Sequence, residues 1–194
     1  IALIGFSMGG GEVARYVGKH GSERVSKAGF FSAITPFLLK TPDNPTGADR
    51  QLFEGLKKAV LADRQAFLTD FLANFYNLDQ YQGKLVSPQV VQDSWNIGVG
   101  ASPRGTLDCV DAWLTDFRKD LDSFGIPTLV IHGDADRICP FPATGPLTHQ
   151  HVKGSRLVVI EGGPHGNIWT HADKVNKALI EFLGEGAHSK ATGN

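Results

Sequence analysis

The chain opens on four consecutive apolar residues, Ile1-Ala2-Leu3-Ile4, which run straight into the glycine-rich turn GFSMGG. An unbroken apolar run of that length, closed by glycine, fits a short buried strand. Over residues 11–20 the spacing changes: Val13, Ala14 and Val17 share one helical face, and Gly21 follows as a stop. Residues 24–33 (RVSKAGFFSA) return to a strand pattern. From residue 36 to about residue 122 the period is helical again, carried by Leu52, Phe53, Leu56 and Val60, then by Phe67, Leu68, Phe71, Leu72 and Phe75. Ser87-Pro88 and Ser102-Pro103 each read as an N-cap followed by proline at the first helical position, so three to five short helices are expected here. The runs IPTLVI (126–131) and RLVVI (156–160) are strand-like, and each leads through a turn into a helical stretch. The last of these covers about 168–183, with Val175, Leu179 and Phe182 on one face. The polar residues 185–194 read as a disordered tail.

Strand, helix, strand, helical insertion, strand, helix, strand, helix is the order of an α/β protein whose parallel strands are covered on both faces. The predicted organisation is a core from 1–35 and 123–184, with a helical cap from 36–122 inserted between its second and third strands. In such sheets reactive groups sit in the turns at the C-terminal ends of strands.

Composition narrows the partners. With 194 residues, 41% of them hydrophobic, a net charge of -1 and scattered Lys and Arg, the chain has a sizeable core and no basic patch for nucleic acid or a membrane surface. No run is long enough for a membrane span, and no signal segment is visible. Cys109 and Cys139 lie without CxxC or Cys/His spacing, so neither a metal site nor a disulfide framework is signalled, and a cytoplasmic location is expected. The expected partner is a small-molecule ester or acyl compound, without cofactor; a homo-oligomer is allowed for.

Three strand-end turns carry chemistry. Gly5-Phe6-Ser7-Met8-Gly9 is a G-x-S-x-G motif between a strand and a helix. That context projects the serine Oγ outward from a strained turn and turns the Met8 N–H, at the positive end of the helix, toward a developing oxyanion. His132-Gly133-Asp134-Ala135-Asp136 follows the third strand and offers two carboxylates. A histidine base needs one to fix its tautomer; the other is a turn residue bonding its own backbone. Gly162-Gly163-Pro164-His165-Gly166 follows the fourth strand, and His165, with nothing apolar beside it, is the natural base. His20, His132, His149, His151, His171 and His188 read as solvated or structural. Ser, Asp, His is the chain order of an α/β-hydrolase triad.

Together GFSMGGGEVARYVGKHG, IPTLVIHGDADRICPF and EGGPHG resemble the α/β-hydrolases, and within them the cofactor-free non-haem chloroperoxidases, perhydrolases and aryl esterases. The resemblance implies a triad of Ser7, Asp136 and His165, with Asp134 structural and Met8 as one oxyanion donor. It also implies that the chain is the C-terminal two-thirds of such an enzyme, lacking the earlier strands and the second oxyanion donor. The loss of one donor alone would slow turnover roughly 100- to 1,000-fold, and the first strand would be left with an open edge. Phe6, Ile34 and Ile138 lie near the chemistry by position, and the resemblance favours Phe71 and Phe75 as further pocket walls; Trp95 and Trp113 read as packing.

The expected reaction is ester hydrolysis through an acyl-serine. Hydrogen peroxide in place of water would release a peracid that oxidises halide, and no metal is needed. Alternatives are a lactonase, an amidase, a carbon–carbon bond hydrolase, or a small-ligand receptor on the same scaffold. Dehalogenases and epoxide hydrolases of this fold use an aspartate at the elbow, and Ser7 argues against them.

Overall fold

In the computed structural model, which describes residues 1–185, four parallel strands form one sheet in chain order: β1 (Ala2–Phe6), β2 (Lys27–Phe31), β3 (Thr128–Gly133) and β4 (Arg156–Ile160). The register pairs Phe6 with Phe31, Phe31 with Ile131, and Gly133 with Ile160. All strands therefore end on the same side, and the three reactive turns are neighbours.

The apolar runs are explained by cover on both faces. All six residues of β3 are buried, and alternate side chains go to opposite layers. Val130 joins Ala28 and Phe30 of β2 against Val13, Ala14 and Val17 of α1 (Met8–His20). Leu129, Ile131 and Phe31 face the other way, onto Val175, Ala178 and Phe182 of α10 (Ala172–Gly184). β1 departs from the expected buried strand. It is a sheet edge with no second partner among the described residues, and Ile1 and Ile4 are exposed.

Between β2 and β3 the described chain forms six helices, one more than the sequence pattern indicates: α2 (Arg50–Ala62), α3 (Arg64–Phe75), α4 (Leu78–Tyr81), α5 (Pro88–Gly100), α6 (Pro103–Ala112) and α7 (Arg118–Leu121). α4 and α7 are single turns, too short to leave a periodic signal. Ser87 and Ser102 are N-caps as expected, accepting from the N–H groups of Val90 (3.2 Å) and Gly105 (3.1 Å). Beyond β3 comes α8 (Gly145–His151). The expected last helix is two, α9 (Asn167–Thr170) and α10. They part at His171, whose Nδ1 lies 2.8 Å from Thr170 Oγ1 and whose ring packs on Tyr81.

The tail expected to be disordered lies outside the described residues except for Glu185, which is held. Lys27 Nζ donates to the carbonyls of Leu183 (2.9 Å), Glu185 (2.6 Å) and Phe182, and sits over the Phe182 ring. A cation there meets the otherwise unpaired carbonyls at the C-terminus of α10. Lys27→Met keeps the aliphatic stem and removes the charge, so urea unfolding should show a loss of about 1 kcal/mol. An unchanged midpoint would mean that the last turn of α10 contributes nothing to the fold.

Candidate active site

Ser7 occupies the single residue between β1 and α1, at φ 54° and ψ -121°. That conformation is strained for a residue with a Cβ, and the surroundings enforce it. The Ser7 N–H donates to Phe31 O (2.9 Å), while its carbonyl accepts from Gly10 (3.1 Å) and Ile34 (3.2 Å). A side chain at Gly5 would collide with the Gly9 carbonyl, so helix and strand approach only because residue 5 is glycine. Gly9 itself has open space around its Cβ position; of the two glycines flanking the motif, packing requires one. Met8 begins α1, where first-turn N–H groups lack intrahelical partners.

The other two turns converge on Ser7. His165, fully buried, places Nε2 2.9 Å from Ser7 Oγ and Nδ1 2.8 Å from Asp136 Oδ2. The Asp136 Oδ1 accepts from the N–H groups of Ile138 (2.9 Å) and Cys139 (2.8 Å). Burial alone would push this carboxyl up, but hydrogen bonding and charge from His132 and His165 outweigh it and hold the pKa at about 2. With an ionised carboxylate at Nδ1, that nitrogen carries the proton and Nε2 is left to accept one from serine.

The two aspartates of the HGDAD turn have different partners. Asp134 Oδ1 accepts from the Gly162 N–H (2.7 Å), stitching the acid loop to the base loop rather than bonding its own turn. His132, read from sequence only as a strand end, belongs to the site. Its Nε2 is 2.8 Å from Cys139 O and 3.3 Å from Asp136 Oδ2, and the side chain is buried. The i, i+4 spacing of His132 and Asp136 was the available signal; it is inconspicuous because the intervening residues form a turn, not a helix.

A cavity of about 600 Å³ adjoins Ser7. Ile34, Ile138 and Phe71 line it, and so does Trp113, which stacks on Phe71. Phe6 and Phe75 do not. Their rings pack on the His165 imidazole with centroids 5.1 and 4.9 Å away, so they support the histidine instead of facing the cavity. Trp95 sits within the helical insertion, its Nε1 donating to Gln65 O (3.2 Å). Asp63, Asp70 and Arg137 also border the cavity; Arg137 is paired with Asp79 at 2.8 Å. Among the described residues no cluster of three or more His, Cys, Asp or Glu is arranged for a metal ion, and no helix is long and apolar enough to cross a membrane.

Known proteins resemble this chain over most of its length. A Synechocystis sp. relative assigned as a non-heme chloroperoxidase is 53% identical over 93% of this chain and 66% of its own length. The bifunctional esterase/perhydrolase of Acinetobacter calcoaceticus is 35% identical over 93% of this chain and 66% of its own. The crystal structure of a bromoperoxidase from Bacillus anthracis superposes with a TM-score of 0.91 at 48% identity, covering 95% of this chain and 67% of that one. The chain thus spans about two thirds of the length of the relatives it matches. The alpha/beta hydrolase fold model matches residues 1–172, and with relatives at these identities the chain belongs to the α/β-hydrolases, in the group that holds the non-heme chloroperoxidases and their esterase kin.

Proposed function

We propose that the protein is a serine hydrolase of aryl or short-chain carboxylic esters, working through an acyl-serine, with perhydrolysis as a second outcome of the same intermediate. The observation that carries this is the unbroken chain of contacts from Ser7 Oγ through His165 to Asp136, beside an apolar cavity. His165 Nε2 takes the Ser7 proton as Oγ bonds to the ester carbonyl carbon. The carbonyl oxygen becomes an oxyanion facing the Met8 N–H. Collapse breaks the ester C–O bond, and the alcohol leaves with the proton from His165. Water then attacks the acyl-serine, giving its proton to His165, and the carboxylic acid is released as the proton returns to Ser7. Hydrogen peroxide attacking in place of water releases a peracid; the esterase/perhydrolase name of the Acinetobacter relative supports including that branch.

In this reading residues 36–122 are a cap over the core formed by 1–35 and 123–184, and Ile34, Phe71, Trp113 and Ile138 select apolar acyl or aryl groups. A fluorophosphonate probe should add one adduct mass per chain, and p-nitrophenyl esters should be turned over faster than lactones or amides of similar size. No adduct on a folded chain would sink the serine mechanism. An adduct with preference for lactones or amides would keep the nucleophile and overturn the ester assignment.

A further inference from the structure

The segment from the last residue of α3 through α4, Phe75 to Tyr81, lies in the helical insertion, yet several of its polar groups bond to the core. The Asn77 side-chain amide donates to Ala135 O (2.9 Å), the residue before Asp136. The Tyr81 hydroxyl donates to Gly162 O (2.6 Å) in the loop that carries His165. The Gly166 N–H, one residue beyond His165, donates to Phe75 O (2.8 Å), and the Phe75 ring meets the imidazole edge to face. Asp79 holds Arg137, one residue after Asp136, through two bonds of 2.8 and 3.0 Å. Each of the two loops is therefore gripped on either side of its functional residue or close to it, by one seven-residue stretch.

The details fit a built joint and not chance contact. Asn77 is fully buried and in the left-handed region, φ 49°, a backbone cost that delivers its amide to the acid loop. Side chains at Gly162 and Gly166 would run into the Tyr81 hydroxyl and into the Phe75 and Tyr76 rings. Glycine at both positions lets the base loop approach the segment this closely without displacing those side chains.

We propose that Phe75–Tyr81 is a positioning clasp, with Asn77 and Tyr81 as positioning residues that hold the acid loop and the base loop at the separation the Asp136–His165–Ser7 relay needs. This rests on the hydrolase reading above. The insertion then does more than wall the substrate cavity: it sets the imidazole. Small errors in such placement are costly, because proton transfer demands the two bonds of 2.8 and 2.9 Å at once.

The test is the double variant Tyr81→Phe/Asn77→Gly, which removes both donors while glycine keeps the left-handed backbone at 77. With p-nitrophenyl acetate, kcat should fall roughly 10- to 100-fold with KM within about twofold. The far-downfield Nδ1 proton resonance of His165 should broaden or move upfield. Lys57→Met, which breaks the Lys57–Asp111 pair between α2 and α6 inside the insertion, should leave kcat and the resonance as they are. Tyr81→Phe alone, which deletes one oxygen, should give a smaller change in the same direction and serves if the double variant does not fold. Unchanged kcat and an unchanged resonance in a folded double variant would overturn the clasp, as would a Lys57→Met variant that behaves like it. A wild-type protein that shows no downfield resonance and takes no fluorophosphonate would instead count against the relay itself.

Discussion

Ser7→Ala should abolish the fluorophosphonate adduct and lower kcat for p-nitrophenyl esters by about 10⁴-fold or more, the loss expected when a triad nucleophile is deleted. Among the described residues no other hydroxyl or thiol lies within hydrogen-bond reach of His165 Nε2. His165 Nε2 reaches 2.9 Å to Ser7 Oγ, and the next nucleophile in the cavity wall, Cys139, is buried with its thiol pushed well above the ordinary range by that burial. The companion change, Ser7→Gly, separates chemistry from folding. At φ 54° a Cβ is strained, on the order of 1–3 kcal/mol, and glycine relieves this at a smaller entropic cost in the unfolded chain. Ser7→Gly should therefore be as inactive as Ser7→Ala yet melt at the same temperature as wild type or above it. Such a stability gain at the price of activity marks a residue held in its conformation for function. Retained labelling in either variant would remove Ser7 as nucleophile. A Ser7→Gly variant that melts lower would mean that the elbow stores no strain.

The parts of this site legible in sequence are those with a local cause. Ser7 is visible because a strand, a turn and a helix are adjacent in the chain, and His165 because its sequence neighbours, Gly163-Pro164 and Gly166, offer it no apolar packing, the rings of Phe6 and Phe75 that do pack on it being far away in sequence. The strands β2 and β3 are visible because cover on both faces demands unbroken apolar runs, and β4 because its β-branched run persists although the strand is only partly covered. What stayed hidden depends on contacts far apart in sequence. Phe71 and Phe75 share a helical period, so nothing local distinguishes the ring that enters the cavity from the one that turns onto His165. Trp113 looks like packing until the fold sets it beside Phe71 in the wall of the cavity at Ser7, and His132 looks like a strand end until Cys139 folds back to accept its Nε2 proton. Asn77 and Tyr81 carry no motif; their partners lie 58 and 81 residues away.

Substitution of the two turn aspartates should split them sharply: Asp136→Asn should lower kcat about 10⁴-fold, and Asp134→Asn only severalfold. The reason is in which atoms each carboxylate uses. Asp136 Oδ1 is fixed by two backbone N–H donors, so in Asp136→Asn the amide oxygen must stay there and the NH₂ must take the place of Oδ2. It then faces His165 Nδ1, 2.8 Å away, as donor against donor. The imidazole escapes by moving its proton to Nε2, and a protonated Nε2 cannot accept from Ser7. Asp134 needs only one acceptor, for the Gly162 N–H, and an asparagine oxygen supplies it. Acid titration gives an independent readout. The folded Asp136 carboxyl lies at about 2, below its ordinary value of 3.8, so its ionised form stabilises the native state above that ordinary value. The contribution is lost as pH falls through the window from about 4 to about 2. Asp136→Asn should flatten the pH dependence of stability in that window, whereas Asp134→Asn should leave the slope there as it is. Equal losses of activity, or a flattened slope in the wrong variant, would transfer the role of acid from Asp136 to Asp134. The geometry opposes that transfer, since Asp134 Oδ1 is bonded to the backbone of the base loop and, among the described residues, the carboxylate oxygen on His165 Nδ1 is that of Asp136.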